Sequence, residues 1–370
     1  MNESAETRVD VAGQWQLMWW RFRKHKLALV SGVLVILIYL VAVLAEFLAP
    51  YDSTSYIAEC KNMPPQKLRF VRTGDDGEKT FAPFVYMYTV KVNPESFKRE
   101  FVEDTSRPIP VKFFARGEPY RMWGLFNASR HFITPEDYKQ PMYLFGGDSM
   151  GRDLMSRVIY GTRISMSIGL IGVIISLFLG ILLGGISGYY GGPLDNLIQR
   201  LTEFLRSIPT IPLWMGLAAA IPLSWPPLQV YFTITLILSL IQWTGLARVV
   251  RGKFFSLKTE DFITAARLDG CPEIRIILHH MVPSFVSHII ASVTLSIPGM
   301  ILSETSLSFL GIGLRPPVVS WGVLLQEAQN IRSIAASPWL LFFPGVAVVI
   351  AVLALNFLGD GLRDAADPYN

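Results

Sequence analysis

Five histidines and two cysteines supply the chain's imidazoles and thiols, and their spacing assembles no site. His279 and His280 are adjacent, so on a helix they point about 100° apart and cannot share a ligand face. His288 follows His280 by eight residues, a same-face spacing, but a third ligand is missing. Cys60 and Cys271 have only each other to pair with, and the topology expected from the apolar runs and cations puts them on opposite sides of a membrane, so no bridge between them is expected. The sequence has no G-x-x-x-x-G-K-[ST] loop to cradle nucleotide phosphates and no H-E-x-x-H metalloprotease pair. Asn127-Ala128-Ser129 fits a glycosylation sequon, a pattern too common to decide anything. These residues argue against catalysis in this chain.

Residues suited to surface chemistry concentrate instead in Arg248–Pro283. Thr259 is placed to cap a helix, with Glu260 and Asp261 in a first turn where the helix dipole favours anions. Gly270 suits the left-handed position just past a helix end, and Pro272 the first turn of a second helix. The expected local structure is a short helix, a glycine corner and another helix. Ala265 and Ala266 are small enough for another protein's backbone to approach, and Glu260, Asp261, Arg267 and Asp269 offer polar contacts around them. A solvated amphipathic loop helix is the plainer reading, and the residue types alone leave both open.

The elements that must position this loop follow from composition. Of 370 residues, 51% are hydrophobic and 17% charged, below the quarter usual for a soluble chain. Charge is uneven: residues 50–144 are about 27% charged and the remainder about 13%. Apolar runs long enough for membrane spans, about 20 residues each, occur at Leu27–Ala49, Ile164–Tyr190, Leu228–Ala247, Phe285–Ser303 and Pro338–Leu358. A sixth is expected at Ile208–Leu223, where Pro209, Pro212 and Pro222 punctuate the helix. The first exceeds the core of a signal peptide and reads as a retained helix. These spans hold few ionisable groups: Glu46 and Glu304 fall at expected outer ends, Glu203, Arg206 and Arg248 at inner ends. That disfavours a proton- or sodium-coupled carrier.

Cations set the expected orientation. With both termini inside, the cytoplasmic pieces carry 14 Lys/Arg, including Arg8 and Arg363, whereas the short outer loops carry only Arg315 and Arg332. The basic balance of +4 therefore reads as membrane-flanking charge, not nucleic-acid binding. Residues 50–144 lie outside as a small α+β domain. Leu68–Arg72, Phe81–Val92 and Val111–Ala115 are expected strands and Glu95–Asp104 a short helix. The domain division is 1–49, the N-terminus with the first span; 50–144, the insertion; and 145–370, five spans with the loop 248–283.

The loop resembles the coupling motif of binding-protein-dependent ABC importer permeases, in which E-A-A, three residues, Gly, nine residues and I-x-L-P link the pore to an ATPase. Thr264-Ala265-Ala266, Gly270, His280, Val282 and Pro283 keep that spacing, with Thr264, His280 and Val282 replacing Glu, Ile and Leu. Further stretches are similar to the second permease subunit of the oligopeptide/dipeptide branch. They include Asp148–Asp153 with Ser156-Arg157 and Gly161–Ser165, Gly188–Gly192 with Asp195, Ser306–Gly311 with Pro316-Pro317 and Ser320–Gly322, and Gly359–Asp364 with Asp367-Pro368. Gly147 stands where that family usually has Thr. Gly359 and Gly361 are expected to end the sixth helix.

The resemblance implies six transmembrane helices of the type I ABC importer permease fold in a bacterial inner membrane. It implies a non-catalytic half-pore, paired with a homologous permease, two cytoplasmic ATPases that bind ATP and Mg, and an extracytoplasmic solute-binding protein. The contacts it assigns to the ATPase are Glu260, Asp261, Thr264, Ala265, Ala266, Arg267, Asp269, Gly270, Pro272 and Pro283. It implies a peptide cargo, with nickel, opines and oligosaccharides carried by relatives, and an enlarged outer segment that either seats the binding protein or serves as a lid. A secondary transporter or channel working without ATPases is the alternative.

Overall fold

A computed structural model describes residues 14–73, 79–92, 99–329 and 335–366. Arg8, Arg332, Asp367-Pro368 and residues 95–98 of Glu95–Asp104 lie outside them.

The chain opens with α1 (Gln14–Lys24), α2 (Lys26–Val43) and the single turn α3 (Ala45–Leu48), then enters strands β1 (Arg69–Thr73), β2 (Lys79–Val92), β3 (Arg99–Met122) and β4 (Phe126–Pro135). Helices follow: α4 (Leu154–Tyr190), α5 (Gly192–Ser207), α6 (Thr210–Ala219), α7 (Pro227–Leu257), α8 (Asp261–Leu268), α9 (Glu273–Arg275), a π-helical stretch Ile276–Met281, α10 (Val282–Ser284), α11 (Val286–Phe309), α12 (Trp321–Glu327) and α13 (Trp339–Ala366). By length and composition α2, α4, α7, α11 and α13 are able to cross a membrane. Their outward Val30, Val33, Leu170, Phe178, Phe232 and Val349 are exposed, as lipid-facing side chains are.

The expected third span is shorter than its apolar run. Helix α6 has ten residues, about 15 Å at 1.5 Å per residue, half of a hydrocarbon core. Pro209 sits at its N-cap, Pro212 in its first turn, where a missing N–H costs little, and Pro222 beyond its end, where the helix has already stopped. The sixth span corrects the reading of Gly359 and Gly361. Helix α13 runs through both to Ala366. A Cβ on Gly361 would lie 2.2 Å from that of Ala28, and one on Gly359 2.7 Å from Leu295 Cδ2. These glycines let helices touch.

The inserted segment is a four-stranded antiparallel meander in the order β1-β2-β3-β4. Register runs from Val92 opposite Arg99 and from Met122 opposite Phe126, with bulges at Tyr86/Met87 and Arg116/Tyr120. The expected helix at Glu95–Asp104 is wrong where it is described: Arg99–Asp104 begins β3, because its partner on β2 supplies a ladder that local propensity does not anticipate. Alternation places Val85, Ile109, Val111 and Ile133 in one core with Tyr51, Met63, Met142, Tyr143 and Met155.

Two compact units result. Residues 37–166 and 308–349 form one, which contains the sheet; residues 14–36, 167–307 and 350–366 form the other.

Candidate functional site

The Arg248–Pro283 stretch folds into the expected corner, held by its own backbone and by α4 and α7. Helix α8 starts without a side-chain cap: Glu260 is the N-cap residue. Thr259, expected in that role, instead donates its hydroxyl to the Ser256 carbonyl at 3.1 Å, because it still belongs to the preceding turn. At the other end Gly270 has φ +73°, its N–H donates to Arg267 O at 3.0 Å, and the Cys271 N–H donates to Ala266 O at 3.1 Å. This 6→1 and 5→2 pair is a Schellman ending, which a residue with a Cβ adopts at a cost. Pro272 is the N-cap residue of α9, one position before the expected first turn. Pro283 follows the π-helical stretch; lacking an N–H to donate four residues back, it sits where the helix has already widened.

Packing decides which residues face out. Ile263 and Ala266 are buried with Tyr189, Val250, Phe254, Ile276 and Met281. Ala266 is therefore a core residue and not part of an exposed small patch; on one helix face it lies three positions from Ile263, and that face is covered. Ala265, Glu260, Asp261, Thr264, Arg267, Asp269, Gly270, Pro272 and Pro283 remain exposed. The exposed face also carries Phe262, Leu268, Ile274 and Leu278, with Leu268 85% exposed. Sequence reasoning centred on the alanines missed these four, although apolar residues spaced through a charged loop were the available signal.

Tyr189 and Tyr190 at the end of α4 brace the corner. The Lys258 ammonium donates to Tyr189 O at 2.8 Å, the Arg267 guanidinium lies 5.4 Å from the Tyr189 ring centroid, and the Tyr190 hydroxyl donates to Glu273 Oε2 at 2.9 Å. Beside them Arg251 makes a bidentate pair with Asp195, both contacts 2.6 Å. Those hydrogen bonds, joined by one from Ser187, hold the Asp195 carboxyl below the usual range against the opposing effect of burial.

The other unit holds a second constellation, at the start of α4. Arg157 is 1% exposed and binds Asp148 Oδ2 at 2.7 Å and Glu327 Oε2 at 2.5 Å; Arg152 reaches the same carboxylates at 2.6 and 3.2 Å. Two acids and two bases thus neutralise one another, with Arg157 and Asp148 buried and Arg152 and Glu327 partly exposed. Asp148 and Arg152 belong to the Asp148–Asp153 motif and Arg157 to the Ser156-Arg157 that follows it, but the sequence alone does not reveal their pairing, nor the part of Glu327, which lies 170 residues from Arg157. Gly147 also becomes intelligible: a Cβ there would lie 2.2 Å from Cys60 O, so no threonine fits.

A model of the family described as binding-protein-dependent transport system inner membrane component matches residues 177–369, more than half of the chain. The chain belongs to that family. The family region contains the whole corner, and a second model, the N-terminal TM domain of oligopeptide transport permease C, matches residues 13–65. Among similar proteins, the oligopeptide transport system permease protein OppC of Haemophilus influenzae is 40% identical over 246 residues, 66% of this chain and 74% of that protein. The dipeptide transport system permease protein DppC of Alkalihalophilus pseudofirmus is 38% identical over 224 residues, 60% of this chain and 71% of that one. An inward-facing structure of the MetNI methionine ABC transporter aligns with TM-score 0.46 and 16% identity over 58% of this chain and 98% of that chain. Strands β1 to β4, within residues 69–135, fall between the two matched regions of this transport component.

Proposed function

We propose that this membrane component forms half of the pore of an ATP-driven peptide importer, with a homologous permease as the other half. Two cytoplasmic ATPases bind ATP and Mg and dock on the corner, and an extracytoplasmic binding protein delivers the cargo. The type I arrangement, with both termini cytoplasmic and residues 50–144 outside, belongs to the same reading. The observation that carries it is the corner itself. An eight-residue helix seats Ile263 and Ala266 inward and ends on a left-handed glycine, while Phe262, Leu268, Ile274 and Leu278 face solvent in a charged loop. Such a rigid, part-apolar knob suits a groove on another protein and transmits that protein's movement, since two packings of the element are what a switch requires. The relatives named for oligopeptide and dipeptide transport support the cargo class.

The test is reconstitution in proteoliposomes with partner permease, ATPases and binding protein, following labelled peptide uptake and ATP hydrolysis together. Gly270→Val is expected to cut uptake at least tenfold while hydrolysis persists, because a β-branched residue disfavours φ +73°. Unchanged uptake would overturn the coupling role. Ion-gradient-driven uptake without ATPases would favour the secondary-transporter reading.

A further inference from the structure

At the root of the inserted sheet a cleft of about 470 Å³ opens between the segment after α3 and the bulge of β3. That volume lies within the range of small-molecule sites, about 300–1,000 Å³. Four tyrosines line it: Tyr51, Tyr56, Tyr138 and Tyr143, together with Glu118 and Lys139. The floor is fixed. Tyr51 and Tyr143 are buried and meet edge to face, with centroids 5.6 Å apart; the Tyr51 hydroxyl donates to Gln140 O and the Tyr143 hydroxyl to Gly151 O.

Glu118 is fixed as well, yet its charge is not neutralised. Its Oε2 accepts the Asp52 N–H at 2.9 Å and its Oε1 the Ser55 hydroxyl at 2.5 Å, both uncharged donors. Among the described residues no Lys or Arg pairs with it, and no carboxylate pairs with Lys139. The two walls are also tied from behind. The His131 ring, 2% exposed, spans from Ala49 O at 2.5 Å to Glu118 O at 2.7 Å. Gly117 makes room for it, since a Cβ there would come within 2.8 Å of His131 Cδ2.

A preformed cleft with one unneutralised anion, one unneutralised cation and aromatic walls between them describes its ligand. We infer that it binds a zwitterion of short-peptide size, the ammonium end held by Glu118 and tyrosine faces and the carboxylate end by Lys139. The inference stands on the cleft's own charges and does not rest on the corner's coupling to ATPases.

The experiment is calorimetric titration of the purified full chain, in nanodiscs free of phosphatidylethanolamine so that no lipid supplies a primary ammonium. Trialanine is the probe, with N-acetyl-trialanine and trialanine amide as blocked forms. Saturable binding is expected, weakened at least tenfold by blocking either end, a loss of about 1.4 kcal/mol for each tenfold. Glu118→Gln, whose oxygen still accepts the Asp52 N–H and whose amide N–H can donate to the Ser55 hydroxyl, is expected to abolish discrimination against the N-acetylated form. Lys139→Met, at an exposed position, should do the same for the amide. Absence of saturable binding up to about 10 mM, or binding indifferent to both blocked ends and both variants, overturns the proposal.

Discussion

Three side chains concentrate the chemistry of this molecule at the scale of single residues. Asp153 is 1% exposed at the start of α4. One of its carboxylate oxygens accepts from the Ser156 N–H and hydroxyl; the other has no partner. Burial outweighs those hydrogen bonds and lifts the carboxyl to about 7. Below about pH 4 it is neutral folded and unfolded; between there and about 7 only the unfolded chain ionises, so stability is lost as pH rises. The melting temperature in detergent is expected to fall from pH 5 to pH 8, and Asp153→Asn to flatten that slope. Arg157 is the converse case, a buried cation that is paired. Glu327→Gln should cost about 3 kcal/mol in chemical denaturation, because it removes a carboxylate charge that neutralises the buried guanidinium and leaves one acceptor oxygen where there were two. Leu268 has no such structural duty. Leu268→Asp should leave the melting temperature within about a degree, as exposed substitutions do, and, if the proposed ATPase subunits dock on this corner, weaken their binding by roughly tenfold, the loss of one leucine contact.

At the scale of elements, helices meet through glycine. Gly361→Ala should destabilise the chain by about 1–3 kcal/mol, as overpacking does, since its Cβ would lie 2.2 Å from that of Ala28. Ala28→Gly in the same chain should recover most of that loss, and a thermal melt of the double variant checks it. This contact shows where sequence reading stopped. A glycine near the end of an apolar run looks like a helix stop, and only the Ala28 side chain, over 300 residues away, reveals it as a packing site. The five long spans were legible because 20 apolar residues have few other homes. Strands β1, β2 and the Val111–Ala115 part of β3 were legible from composition and partial alternation, whereas β4 was not and neither was Arg99–Asp104, its strand state being set by residues 87–92 across the ladder. At the corner, Gly270 was legible from type and position. The inward turn of Ala266 was not, because it depends on which face Tyr189 and Phe254 cover.

For the whole molecule the readings concern sidedness. In a chain whose Cys60 and Cys271 are replaced by alanine, Leu125→Cys on the exposed turn between β3 and β4 should react with an impermeant maleimide in intact spheroplasts. Leu268→Cys should react only after permeabilisation. Labelling in the opposite sense would invert the proposed orientation.

The stitching around Gly147 bears on how such a chain is divided. Asn62 N–H donates to Asp148 O, Gly147 N–H to Met63 O and Ile57 N–H to Gly151 O, each at 2.8–2.9 Å. Tyr51, Met63, Val85, Ile109, Tyr143 and Met155 share one core. The insertion is consequently not modular. A chimera that transplants the sheet must carry residues 51–66 and 142–157 along with it, and an excision beginning at Ser55 would unpick the start of α4 as well as remove the strands.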